Sequence, residues 1–160
     1  MSAVLPHAGA QGGLRVAMEM ITRQRDAAAV ALAQARDSQG AAQGQLDQLQ
    51  QYAQESEARW TQQAQIRATP ELMQHHYQFM ARLYHTVELQ NSVMAQHARQ
   101  VQARIDQLRE AELRLASLSQ VVARKARELA RLQQRREQKE VDEFATRQSL
   151  RHAGAFGGQD

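Results

Sequence analysis

Nine apolar residues stand seven positions apart along one stretch of this chain: Met73, Met80, Val87, Met94, Val101, Leu108, Leu115, Val122 and Leu129. The chain as a whole is 42% apolar, so an unbroken column of this length is a rare product of chance. An apolar residue at every seventh position marks a helix that turns one seam toward a partner helix. The column therefore restricts the fold to long paired helices, and such helices leave little room for a catalytic cleft.

Composition agrees with a narrow seam. Aromatic residues make up 4% of the chain and prolines number two, while the abundant Ala, Gln, Arg and Leu are good helix formers. Large side chains are too scarce to fill a wide core. There is no cysteine, which removes disulfides and thiolate metal sites and is compatible with a reducing cytosol. No apolar run approaches the roughly 20 residues of a membrane span. Residues 1–13 lack a basic start followed by an apolar stretch, so no secretory signal is expected.

The net charge of +3 hides an asymmetry. Residues 1–120 hold eleven basic and eleven acidic side chains, whereas residues 121–159 hold nine basic and five acidic ones. The basic end favours an acidic partner surface.

Pro6, Gly9, Gly12 and Gly13 make residues 1–13 read as a flexible tail. Helix one is expected over about 14–62. Its seam steps by four and three through Leu14, Met18, Ile21, Arg25, Ala28, Leu32, Ala35, Gln39, Ala42, Leu46, Leu49, Ala53, Ser56 and Trp60, eleven of them apolar. Gly40 and Gly44 should soften it locally, at roughly 1 kcal/mol each against Ala. A turn follows at about 63–69. Thr69-Pro70-Glu71 then reads as a helix start, with Thr as N-cap, Pro at the first helical position and Glu beside the positive end of the dipole. Helix two is expected over about 70–150, roughly 120 Å at 1.5 Å per residue. The paired region spans 14–153, and 154–160 reads as a second flexible tail. The second seam row of helix two is mixed: His76, Leu83, Gln90, His97, Arg104, Ala111, Leu118, Lys125 and Leu132. Polar members of a seam set register at a cost in stability.

The fold class that follows is all-α, a two-helix antiparallel coiled-coil hairpin with the second helix overhanging the first. Placing Trp60 beside Met73 makes paired positions sum to about 133. Leu14 then reaches about residue 119, and helix two overhangs by roughly 30 residues or 45 Å. Val122, Leu129 and Leu132 fall in that overhang. Apolar residues without an internal partner mark a binding surface. Two other covers stay open: residues 1–13 folding back, or a second copy pairing through residues 118–132.

Chemistry-bearing motifs are missing from the sequence. It contains no phosphate-binding glycine loop and no H-E-x-x-H. His75 and His76 are adjacent on a helix and point about 100° apart, unlike an i, i+4 metal pair. His76 and His97 fall on the seam and read as packed rings. Neither a catalytic residue, a cofactor nor a metal is expected. Two clusters stand out instead. Tyr52, Trp60, Tyr77, Phe79 and Tyr84 hold most of the aromatic residues near the turn, with Gln45 and Leu49 level with Phe79 and Leu83. Tyr52 and Phe79 lie one position off the seam, so part of this patch should face outward, where aromatic side chains make good hot spots. The other cluster is Arg135-Arg136-Glu137-Gln138-Lys139-Glu140-Val141-Asp142-Glu143-Phe144-Ala145, whose Phe144 a solvated charged helix end would not need.

Within that segment, Gln138-Lys139-x-x-Asp142-Glu143-Phe144-Ala145 resembles the C-terminal signature of the FliJ family, small coiled-coil proteins of the bacterial flagellar type III export apparatus. The length, the turn near position 65 and the longer second helix resemble the family too, over roughly residues 14–150. The resemblance implies a stalk like the γ subunit of rotary ATP synthases, cytoplasmic and held peripherally at the inner-membrane export apparatus. It implies that the terminal end binds an export ATPase (FliI-like) through Arg135, Arg136, Gln138, Lys139, Asp142, Glu143 and Phe144. It also implies that the hairpin tip binds an export gate protein (FlhA-like) through Gln45, Leu49, Tyr52, Phe79 and Leu83. The gate face departs from the family at Ser56, Thr86 and Gln90. The family also implies contact with export chaperones, for which no residue here can be assigned. Alternatives of other classes are the equivalent stalk of a virulence-type secretion system, a generic coiled-coil adaptor, and a basic nucleic-acid-binding helix. Interspersed acids and few exposed aromatics argue against nucleic acid as a partner.

Overall fold

The computed structural model describes residues 7–157, with side chains described at residue 9 and from residue 11 onward. Two helices account for nearly all of it: α1, His7–Ala64, and α2, Pro70–Phe156. Together they make an all-α helical hairpin. Both helices outrun their expected bounds. α1 starts at His7 instead of near Leu14, and α2 continues through Gly154 to Phe156. The glycines did not stop them: no glycine among the described residues has positive φ. A glycine costs only about 1 kcal/mol in a helix interior, and an established helix propagates through it. Residues 1–6 and 158–160 of the expected tails lie outside the described residues.

The chain divides into two compact units. One comprises residues 19–113; the other joins the start of α1, up to Met18, to the part of α2 from Arg114 onward.

In the 19–113 unit, every expected seam position of α1 from Ile21 to Trp60 is buried or half-buried. So are Met80, Val87, Met94, Val101 and Leu108 on α2, and His76, Leu83, Gln90, His97, Arg104 and Ala111 in its second row. The most deeply buried side chains are Leu32, Ala35, Ala42, Leu46, Ala53, Met80 and Leu83. Five of these come from α1, three of them alanines, and the cluster of Ala53 with Met80 and Leu83 sets a small side chain of α1 against large ones of α2. Small against large lets two helix backbones lie close and still fill the space between them. Register is locked by Gln90, whose side-chain amide donates to the Ala42 carbonyl at 3.0 Å and to Gln45 Oε1 at 3.3 Å. Tyr52 meets Phe79 and Trp60 meets His76. The position numbers of these pairs sum to within three of the expected value.

Trp60 corrects the expectation in detail. It lies level with His76, not Met73, and stacks on that ring at 4.3 Å with an interplanar angle of 8°. Met73 is left 40% exposed. The shift is about one helical turn, and it lets the flat indole cover a flat imidazole instead of a flexible thioether.

The turn is built as Thr69-Pro70-Glu71 suggests. The Ile66 and Arg67 amides donate to the Gln63 carbonyl at 3.0 and 2.9 Å, closing α1. Thr69 Oγ1 accepts from the Leu72 amide at 3.3 Å, satisfying one of the amides that a helix start leaves free. Glu71 occupies the first turn of α2.

In the other unit, Leu14, Ala17 and Met18 of α1 and Leu115, Leu118, Val122 and Leu129 of α2 are half-buried. The overhang keeps about its expected length but begins later along α2, because both helices are longer than expected. The additional turns of α1 bring Val122 and Leu129 into partial cover, whereas Leu132 is 51% exposed. From Ala130 to Gly157 every residue is exposed.

Gly40 and Gly44 are exposed helix-interior residues in open space, with nothing near the position a Cβ would take. Gly40→Ala and Gly44→Ala should each stabilise the hairpin by about 1 kcal/mol. Chemical denaturation followed by circular dichroism measures this, and the double variant should show the sum.

Candidate functional site

The two clusters singled out in the sequence sit in different units. In the 19–113 unit, Gln45, Leu49 and Tyr52 recur at steps of four and three along α1, and so share one helical face. Phe79 and Leu83 are one turn apart on α2. Tyr52 and Phe79 meet edge to face, with ring centroids 6.1 Å apart and planes at 85°. Such a pair contributes about 0.5–1.5 kcal/mol beyond its buried area. Yet Tyr52 stays 46% exposed and Phe79 41%. Gln45 is exposed, Leu49 is half-buried against the cluster of Ala53, Met80 and Leu83, and Leu83 itself is only 8% exposed. The face available to a partner is therefore Gln45, Leu49, Tyr52 and Phe79, with Leu83 beneath as its floor. Of the positions that depart from the family, Gln90 is occupied in the cross-helix amide contact and Thr86 donates to the Arg82 carbonyl of its own helix at 3.0 Å.

A contact the sequence did not signal lies beside this face. The Tyr84 hydroxyl donates to Glu57 Oε1 across the two helices. That hydrogen bond raises the Tyr84 phenol above its ordinary value, with desolvation and the carboxylate's charge adding to it. No heptad rule points to the pair, because both residues lie off the seam. Their only trace in the sequence is a donor and an acceptor near the turn.

In the other unit, Arg135, Arg136, Gln138, Lys139, Asp142, Glu143 and Phe144 all lie on the exposed run of α2. Phe144 is 68% exposed and Val141 62%. The contacts here run along the helix: Gln138 Nε2 donates to Asp142 Oδ1 at 3.1 Å, and Thr146 Oγ1 donates to the Asp142 carbonyl at 2.8 Å. Among the described residues, no ion pair engages Arg135, Arg136 or Lys139. Phe144 and Val141 are three residues apart, so they form a small apolar patch inside a charged surface.

Nothing in either cluster is arranged for chemistry. Among the described residues, no group of three or more His, Asp or Glu could hold a metal ion, and no helix is long and apolar enough to cross a membrane. Fold and surface together define a helical hairpin with two exposed patches that mix apolar and polar side chains. The chain belongs to the flagellar FliJ protein family, whose model matches residues 13–154. Membership gives it a role in flagellar protein export. Neither the curated proteins nor the solved structures contain a match to the chain.

The Tyr84 contact has a measurable signature. A phenol stabilised in its neutral form contributes stability that is complete below the ordinary phenol pKa and is lost as pH rises through the raised folded value. Ultraviolet titration of Glu57→Gln should bring Tyr84 ionisation back toward the ordinary phenol value, and Tyr84→Phe should remove the late-titrating component altogether.

Proposed function

We propose that the protein is a non-enzymatic adaptor of the flagellar export apparatus that binds an export ATPase (FliI-like) through one patch and an export gate protein (FlhA-like) through the other. Arg135, Arg136, Gln138, Lys139, Asp142, Glu143 and Phe144 form the ATPase-binding segment. Gln45, Leu49, Tyr52 and Phe79, floored by Leu83, form the gate-binding face. The observation that carries the reading is the exposure of Phe144 at 68% in a charged stretch where the fold has no use for an aromatic side chain. Desolvating a ring of that size on binding is a strong anchor, and the neighbouring cations supply orientation and steering. At the other patch, an edge-to-face pair that stays over two-fifths exposed is a rigid, preformed aromatic surface.

The action is mechanical: it promotes assembly of the ATPase ring and couples that ring to the gate. α2 contributes to both patches and runs unbroken from Pro70 to Phe156, so one continuous helix carries both contacts. Export chaperones are further partners of this reading, without assigned residues. The setting is the cytoplasmic side of the inner membrane, reached through these partners.

Two variants test it. Arg135→Glu with Arg136→Glu should abolish stimulation of the export ATPase and leave the helical content unchanged, because both residues are exposed. Undiminished stimulation would remove the assignment. Tyr52→Ala with Phe79→Ala should weaken gate binding at least tenfold in a calorimetric titration, while helicity is retained. Loss of helicity with equal loss of binding would show instead that the rings serve only to cap the seam.

A further inference from the structure

One feature of the unit formed by Gln11–Met18 and the later part of α2 lies outside both patches. Between the helices is a cavity of about 560 Å³. Leu14 and Met18 line it from α1, and Val122, Ala126, Leu129 and Leu132 line it from α2. These are the residues that should close a seam, yet here they surround a space large enough for several side chains.

The sequence explains the opening. Gln11 and Lys125 both line the cavity, and both stand where the repeat calls for apolar side chains. Gln11 is three residues before Leu14, and Lys125 lies in the second seam row between Leu118 and Leu132. A lysine cannot be buried against a glutamine without desolvating its charge, so it stays exposed and the helices do not close over it.

The surrounding charge selects the occupant. Residues 121–132 hold four basic side chains (Arg124, Lys125, Arg127, Arg131) and one acidic one, Glu128, which lines the cavity with Lys125. A second copy presenting the same surface would bring like charges together. An acidic partner would not.

We propose that this open seam is a docking groove for an amphipathic helix whose apolar face is flanked by acidic side chains. The incoming helix inserts its apolar residues among Leu14, Met18, Val122, Leu129 and Leu132, completing locally a three-helix packing. Its carboxylates lie against Lys125 and the neighbouring Arg124, Arg127 and Arg131 of α2. The groove ends at Leu132, before the segment assigned to the ATPase, so the inference does not depend on that assignment.

The test uses the full chain and a fluorescein-labelled helical peptide with leucine at heptad positions a and d and glutamate at e and g. Its counterpart carries lysine in place of each glutamate. Fluorescence anisotropy should show the acidic peptide binding at least about tenfold more tightly than the basic one, with affinity falling as salt rises. Leu129→Asp should reduce binding at least tenfold. Gln11→Leu with Lys125→Leu should close the seam, raise the melting temperature and also abolish binding; this variant guards against loss of binding through simple unfolding. Equal binding of the two peptides, or no binding of either, overturns the proposal. So does sedimentation showing a dimer that Leu129→Asp dissociates, since a second copy would then be the occupant.

Discussion

A single seam of interlocked apolar side chains is the contact on which the rest of the 19–113 unit depends. Leu32, Ala35, Ala42, Leu46 and Ala53 of α1 and Met80 and Leu83 of α2 are its most buried residues. A seam of this kind is one side chain thick. It covers only part of a large side chain that lies one position off its rows. This is why Tyr52 and Phe79 remain two-fifths exposed although they touch each other. A thicker core would have absorbed them and left no aromatic face to offer. The thinness that limits stability is also what makes the surface available.

The same limit accounts for the absence of any arrangement suited to catalysis among the described residues. General acid–base or metal chemistry needs several polar groups converging on one enclosed point. Side chains on two paired helices converge only at the seam, where apolar groups predominate and the polar ones are scattered along its length. Everything else radiates outward. Selectivity on such a surface comes from which side chains recur on one face. Gln45, Leu49 and Tyr52 do so on α1; Val141 and Phe144 do so on α2.

Most of the fold was legible in the sequence because the heptad is a direct consequence of helix geometry. All fourteen seam positions read for α1 are buried or half-buried, and α2 keeps its column from Met80 to Leu129. The differences have separate physical causes. α1 begins seven residues before Leu14 because the penalty of Gly9, Gly12 and Gly13 is small beside that of starting a new helix. Apolar matching alone favours Met73 over His76 as the partner of Trp60, and ring stacking is invisible to a hydrophobic pattern. The Tyr84–Glu57 tie lies off the seam, where the repeat carries no information. The two candidate patches were found by departures from the repeat, aromatic residues beside the seam and Phe144 in a charged run. The open seam is legible in part: Val122, Leu129 and Leu132 read as apolar residues without an internal partner, and Lys125 as a polar member of its row.

Polar residues in the seam show that the residue opposite, and not polarity itself, decides the outcome. Gln90 faces a backbone carbonyl and a second amide, and it becomes a register lock. His97 is half-buried with its Nδ1 unpartnered among the described residues, a cost of about 1–3 kcal/mol unless water reaches it. Lys125 lines a cavity with Gln11 and Glu128, stays exposed, and the helices stay apart there. One kind of substitution in one kind of position thus gives a lock, a weak point and an opening. A heptad read as apolar or polar would score the three alike. Reading each against the group across the seam separates the position that holds the hairpin in register from the one that leaves room for another chain.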